Sequence, residues 1–104
     1  MNIIENIKNE ITEKIESALL AAVNCGEIPE NAEVNFRDII KLEVPKDKSH
    51  GDFACNAAML LARPLKFAPQ KIAAAILSHI DKGDKIEKIE IAGAGFINFY
   101  LAQD

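Results

Sequence analysis

The chain has 104 residues, of which 49% are hydrophobic and 27% charged, and its formal net charge is −4 at pH 7. This length fits one domain with a single hydrophobic core, and the composition is that of a globular protein, which excludes a disordered chain. The acidic net charge argues against a protein that coats nucleic acid without discrimination.

The first predicted element is an amphipathic helix from Ile4 to about Gly26, a residue that can adopt the left-handed conformation common at helix C-termini. Its apolar face consists of Ile7, Ile11, Ile15, Leu19 and Val23. Because charges alternate with isoleucine over residues 2–16, a signal peptide is not expected, and no apolar run reaches the roughly 18 residues of a membrane span. We therefore expect a cytoplasmic protein.

The middle of the chain predicts a strand and two helices. Residues 38–45, "DIIKLEVP", alternate apolar and charged positions and predict a strand. Its buried face would consist of Ile40, Leu42 and Val44. An Ala-rich helix follows, with Asp52 as its N-cap and Pro64 as its end, and Pro69 opens a second Ala-rich helix.

Two strands complete the predicted fold. They comprise residues 86–93, "IEKIEIAG", and residues 96–101, "FINFYL". A fourth, weaker strand is expected between Glu33 and Phe53. The predicted class is α+β, an antiparallel sheet of about four strands with helices packed on one face.

The ligand-bearing residues of the chain are few. Cys25 and Cys55 lie far apart without CxxC spacing, so we predict buried free thiols in preference to a disulfide or a metal site. His79, on the apolar side of the second Ala-rich helix, is predicted to be a core-edge residue and not a ligand. No metal site is predicted.

The loop "SHGD" raises the question of catalysis, because His50 and Asp52 lie two residues apart. The chain offers no partnered nucleophile and no Gly-rich phosphate loop, so we predict no catalytic residue. In the structural interpretation, Gly51 makes a tight turn and Asp52 caps the helix. A small hydrolase that uses His50 and Asp52 remains the weakest alternative.

The last strand poses the sharpest question. Ile97, Phe99 and Leu101 would line one face, and Phe96, Asn98 and Tyr100 the other. An exposed Phe96 can stack on an unpaired base whose edge Asn98 can read. Alternatively, the aromatic rings pack beneath a helix, which the pattern alone favours. Gly93 and Gly95 precede a strand and not a helix, so they suggest a tight connection or a close backbone approach, not a dinucleotide site.

Several ordered motifs resemble a known family. "LEVPKDKSHGDFACNAAMLLARPLKFAPQKIAAAI" followed by "IEKIEIAGAGFINFYL" is similar to the N-terminal additional domain of arginyl-tRNA synthetase. That family has a "GD(F/Y)xxN" motif, an Ala/Leu helix that ends in "LA(K/R)", a "P(R/Q)xIA" helix and a "GPGFIN" segment. The resemblance covers roughly Leu42 to Leu101. One departure is Ala94, where the family usually has proline.

The resemblance implies a single domain over residues 1–104 that docks on the tRNA elbow near the D-loop. Phe96 would stack on a D-loop base and Asn98 would hydrogen-bond it. The other implied RNA-binding residues are Gly93, Tyr100, Lys46, Lys48 and Lys71. The lysines belong to residues 41–71, a locally basic part of the chain, although a mixed solvated surface explains that charge equally well. Gly51, Asp52, Asn56 and Gly95 would be structural.

The resemblance also implies which domains, cofactors and partners belong to the full-length enzyme. The "HIGH"-like and "KMSKS"-like signatures of class I synthetases do not occur in the chain. Catalytic and anticodon-binding domains would therefore lie outside these residues, and ATP and Mg²⁺ would serve the full-length enzyme, with no cofactor in this domain. The implied partners are tRNA(Arg) and the enzyme's own catalytic domain, with no DNA and no membrane. The alternative is a protein-interaction module that does not bind RNA.

Overall fold

The fold is taken from a computed structural model that describes residues 3–102. The helices are α1 (Ile3–Asn24), α2 (Phe36–Ile39), α3 (Ala57–Leu65) and α4 (Pro69–His79), and the strands are β1 (Leu42–Glu43), β2 (Phe53–Cys55), β3 (Ile86–Ala92) and β4 (Phe96–Leu101). The four strands form one antiparallel sheet in the order β1-β2-β4-β3. This confirms the predicted α+β class.

Helix α1 follows from its apolar periodicity and ends as predicted. Ile11, Ile15 and Leu19 are buried, and α1 packs along α4. At its end the Glu27 N–H donates to the Ala22 carbonyl at 2.9 Å, which is the bond of a Schellman C-cap around Gly26. Within residues 3–102 no helix has both the length and the apolar character to cross a membrane.

The strand register gives the sheet one buried face and one open face. Phe53 pairs with Phe99 and Cys55 with Ile97, and all four residues belong to the hydrophobic core. Because paired residues of an antiparallel sheet point to the same side, these side chains lie together against the helices. The opposite side, here called the open face, carries Ala54, Lys88, Glu90, Phe96, Asn98 and Tyr100.

The predicted strand over residues 38–45 is wrong in extent. Its first part is helix α2, which the Asn35 side chain caps by accepting the Arg37 N–H at 2.9 Å. Only Leu42–Glu43 forms a strand, and the side chain of Val44 is 65% exposed instead of buried. Because the cap satisfies a backbone donor at the start of α2, residues 38–39 belong to that helix and the strand begins later than the pattern suggested.

The predicted start of the Ala-rich helix is also wrong. Residues 53–55 form β2, the fourth strand of the sheet, which was expected between Glu33 and Phe53. Helix α3 begins only at Ala57. Asn56 therefore holds the N-cap position, although its side chain makes no capping hydrogen bond. Asp52 does not cap the helix. Its carboxylate accepts the Leu101 N–H at 2.8 Å, because β2 adds to the edge of β4.

The remaining predictions of secondary structure are confirmed. Helix α3 runs one residue beyond Pro64, and α4 begins at Pro69 in the first helical turn, where its missing N–H costs nothing. Strands β3 and β4 form the predicted terminal hairpin.

Candidate nucleic-acid interface

A cleft of about 640 Å³ lies on the open face. It is bounded on one side by residues 44–50, here called the cover loop, and on the other by the β3–β4 turn. Its lining consists of Glu43, Val44, Pro45, Lys46, Asp47, His50, Ala54, Ala92, Gly93, Phe96 and Asn98. The lining combines apolar residues with five polar side chains, a mixture that is common in ligand sites.

Phe96 stands on the turn side of the cleft with 39% of its surface exposed. The turn before it is held against two helices. A Cβ atom on Gly95 would lie 3.3 Å from the Pro69 carbonyl oxygen, and the Gln70 side-chain amide donates to the Gly93 carbonyl at 3.1 Å. The predicted close backbone approach is therefore confirmed. Because the turn is fixed from below, the Phe96 ring is an exposed aromatic surface on a rigid base.

Asn98 lies at the floor of the cleft, between Ala54 of β2 and Glu90 of β3. Its predicted exposure is wrong, since only 5% of its surface is accessible. Among residues 5–102 it is the single buried polar side chain. A buried amide costs free energy unless it is hydrogen-bonded, so Asn98 is an unusual residue for this position, and it borders the cleft.

Tyr100, the third residue of β4 that was predicted to bind RNA, holds the cover loop in place. Its hydroxyl lies 2.8 Å from the Ser49 carbonyl oxygen and 3.0 Å from Glu90 Oε1, and its one proton is donated to either acceptor in turn. Desolvation raises the pKa of the phenol, and the hydrogen bond to Glu90 raises it further. The Lys88 ammonium lies 4.3 Å from the ring centroid. One face of the ring is thus occupied, so Tyr100 is placed as a support more than as a stacking surface.

The cover loop is ordered by its own hydrogen bonds. Asp47 accepts the Ser49 N–H at 2.9 Å, at the start of a single 3₁₀ turn over Lys48–His50. That bond, with a second one to the Ser49 side chain, lowers the pKa of the Asp47 carboxyl. The Asp52 N–H then donates to the Phe99 carbonyl at 2.8 Å, which fixes the end of the loop to β4.

The three predicted lysines do not share one place. Lys46 lines the cleft, and Lys48 lies in the exposed 3₁₀ turn of the cover loop but outside the lining. Lys71 is on α4, with its ammonium 5.8 Å from the Phe67 ring centroid, and it lines a different groove. His50 lines the cleft, although the sequence pointed to it only as a catalytic candidate. The cleft lining holds one lysine, Lys46, and two carboxylates, Glu43 and Asp47, so its charges do not add up to a strongly positive surface.

The two cysteines have different surroundings. Cys55 is buried, as predicted, and desolvation raises the pKa of its thiol. Cys25 was also predicted to be buried, but it is exposed. Both thiols are free. His79 is half-buried at the edge of the core, as predicted, and its Nε2 lies 2.5 Å from Glu27 Oε1.

The fold and the cleft together define a small α+β module, with an exposed aromatic ring and a buried amide on the open face of its sheet. Residues 5–101 match the family model described as the arginyl tRNA synthetase N terminal domain. The chain therefore belongs to the arginyl-tRNA synthetase N-terminal domain family.

Individual relatives agree with this assignment. The chain is 49% identical over 102 residues to the arginine–tRNA ligase of Bacillus subtilis and 45% identical over 100 residues to that of Desulforamulus reducens, alignments that cover 97% and 95% of the chain. It spans about 17% of the length of each of these relatives.

Two solved structures share the fold. Arginyl-tRNA synthetase from Plasmodium falciparum superimposes with a TM-score of 0.60 and 23% identity, over 88% of this chain and 16% of that one. Arginyl-tRNA synthetase from Thermus thermophilus gives a TM-score of 0.57 and 22% identity, over 84% of this chain and 13% of that one.

Proposed function

We propose that this domain binds tRNA(Arg) at its elbow, within an arginine–tRNA ligase, and that the cleft receives one unpaired base of the D-loop. The observation that carries the proposal is the pairing of Phe96 and Asn98. An exposed ring rises at the wall of a cleft, and an amide lies at the floor of the same cleft. Single-stranded RNA loops are read by this combination of stacking and hydrogen bonding to base edges.

Each residue has a separate task in this proposal. Phe96 stacks on the base, and Asn98 offers one donor group and one acceptor to its edge. Lys46 and Lys48 attract the neighbouring phosphates, while Tyr100 keeps the cover loop closed through Ser49. Gly93 gives the backbone close access to the nucleotide. Lys71 lies on another surface and would contact a more distant part of the tRNA.

The domain is proposed to supply affinity and not chemistry. The name of the family implies an ATP-dependent ligase, and we propose that ATP and Mg²⁺ are bound by the catalytic domain of the full-length enzyme. That catalytic domain is the second proposed partner, and the proposed location is the cytoplasm. DNA and membranes are not proposed as partners.

The first test replaces Phe96 in the full-length ligase that carries this chain. Stacking is worth about 1–3 kcal/mol, so Phe96→Ala should raise the KM for tRNA roughly tenfold, with kcat and the KM for arginine unchanged at saturating tRNA. Phe96→Leu keeps an apolar side chain and should behave like Phe96→Ala if stacking is what matters. Leu60→Ala removes an exposed apolar side chain from α3, outside the cleft, and should change nothing.

A change in the tRNA itself provides a matched control. One D-loop position, made abasic, should weaken binding to the wild-type enzyme and have a smaller effect on the Phe96→Ala enzyme, in which only the hydrogen bonds to Asn98 remain to be lost. A loss of kcat and of arginine affinity together with tRNA affinity would contradict RNA recognition. It would indicate instead that the open face contacts protein, as in the alternative of a protein-interaction module.

The isolated chain is expected to bind tRNA weakly and with strong salt sensitivity, because one stacking surface and a few lysines provide little affinity. Amide chemical shifts should change mainly over residues 93–100 when tRNA is added. Changes confined to the lysines of the cover loop would contradict base recognition.

A further inference from the structure

Three side chains with metal-ligating atoms meet on the side of the domain formed by α1 and α4. Cys25 Sγ, a carboxylate oxygen of Glu27 and a ring nitrogen of His79 all lie within 4.8 Å of one another. Among the described residues this is the one group of three such side chains that the fold brings together. The sequence did not reveal it, because His79 is more than fifty positions away from the other two residues.

The backbone fixes two of these ligands beside each other. Cys25 directly follows the last residue of α1, and its N–H still donates to the Ala21 carbonyl at 2.9 Å. The Gly26 turn then reverses the chain, and the N–H of Glu27 returns to the Ala22 carbonyl. The turn thereby places the thiol and the carboxylate on the same side of the helix end.

The third ligand comes from the partner helix. His79 is the last residue of α4, and its Nε2 already lies 2.5 Å from Glu27 Oε1. The contact between these two side chains thus joins the turn after α1 to the last residue of α4.

We propose that Cys25, Glu27 and His79 form a binding site for a thiophilic divalent cation, with zinc as the expected ion. Thiolate, imidazole and carboxylate are the three ligand types that Zn²⁺ takes in proteins. Calcium and magnesium prefer oxygen ligands alone, so this donor set selects against them. On binding, the Cys25 thiol releases its proton to the solvent as the metal–sulfur bond forms.

The distances suit such an ion after a small adjustment. Bonds of about 2.3 Å to sulfur and about 2.0 Å to nitrogen in a tetrahedral site separate those two ligand atoms by roughly 3.5 Å. Side chains whose ligand atoms lie within 4.8 Å reach this spacing by movements of the order of 1 Å. Cys25 and Glu27 are exposed, which leaves their side chains free to rotate and leaves the fourth position to water.

The test uses Co²⁺ as a spectroscopic substitute for Zn²⁺ on the reduced 104-residue chain. A thiolate-to-cobalt charge-transfer band and tetrahedral d–d bands should grow to one equivalent and disappear when Zn²⁺ is added. Cys25→Ser should abolish the charge-transfer band, and His79→Gln should lower the cobalt affinity at least about tenfold, since even indirect support of a metal ligand is worth that much. Glu30→Gln, an exposed carboxylate close in sequence, is the matched control and should bind like the wild type.

A second readout does not depend on cobalt geometry. Zn²⁺ should protect Cys25 from alkylation, and Cys55 is buried and does not compete for the reagent while the protein is folded. The proposal is overturned if the charge-transfer band is absent from the wild type, if it survives in Cys25→Ser, or if Zn²⁺ leaves the alkylation rate unchanged. Because none of these measurements involves RNA, the outcome is independent of the proposed tRNA binding.

Discussion

Replacing Gly51 with alanine tests how the cover loop is joined to the sheet. Gly51 has φ +97° and ψ −175°, a backbone region open almost only to glycine. A Cβ atom there would lie 2.8 Å from the Phe99 carbonyl oxygen. That oxygen is part of β4 and accepts the Asp52 N–H at 2.8 Å, so no change of side-chain rotamer relieves the contact.

The cost follows from these two effects. The strained backbone accounts for about 1–3 kcal/mol. Moving the loop away from β4 weakens the hydrogen bond between Asp52 and Phe99, which is worth about 0.5–1.5 kcal/mol. Gly51→Ala should therefore lower the free energy of unfolding by about 2–4 kcal/mol, a large share of the roughly 5–15 kcal/mol typical of a domain.

Gly26→Ala is the matched control for this prediction. Gly26 also has a positive φ, +79°, but a Cβ atom there would meet nothing within 4 Å. Gly26→Ala should therefore lower the free energy of unfolding only through backbone strain, by about 1–2 kcal/mol. The effect of alanine on the unfolded chain is the same for both variants. Urea unfolding of the two variants and the wild type measures the difference. Equal losses for both variants would refute the role assigned to the contact with Phe99.

Three further predictions concern the phenol, the core and the surface. Tyr100 is the only tyrosine of the chain, so phenolate absorbance reports its pKa, which should exceed the ordinary value and fall in Glu90→Gln. Because the folded state holds this proton more tightly than the unfolded state, its contribution to stability is complete below the ordinary pKa of about 10 and is lost as pH rises through the folded value. Ile97→Ala, at a fully buried position of β4, should cost about 2–5 kcal/mol in urea unfolding, and a loss below 1 kcal/mol would contradict its place in the core. Arg37→Ala removes an exposed ion pair of 2.8 Å to Glu16 and should cost no more than about 1 kcal/mol, which a larger shift of the unfolding midpoint would disprove.

The elements that the sequence predicted well are those whose signals are local. Helix α1 has an apolar repeat over six turns, and Gly26 marks its end, so its bounds were close to correct. Pro69 marked the start of α4 in the same way, and the β3–β4 hairpin was evident from two apolar strands with glycines between them. The strand pattern raised Phe96 and Asn98 as candidates but favoured packing beneath a helix, and the family motifs reversed that preference.

The errors lie where distant parts of the chain meet. Residues 53–55 are a strand because β4 supplies partners for their backbone groups, and an Ala-rich segment shows no local sign of that pairing. Asn98 lies on an inner strand between β2 and β3, and only 5% of its surface is accessible, although strict alternation placed it on an open surface. Cys25 and His79 meet because α1 packs on α4. The sequence by itself determined the class, most elements and the family, since these depend on periodicity and short motifs. Only the tertiary structure decided which polar groups are enclosed and which ligand atoms converge, because burial and convergence depend on contacts between residues that are far apart in the chain.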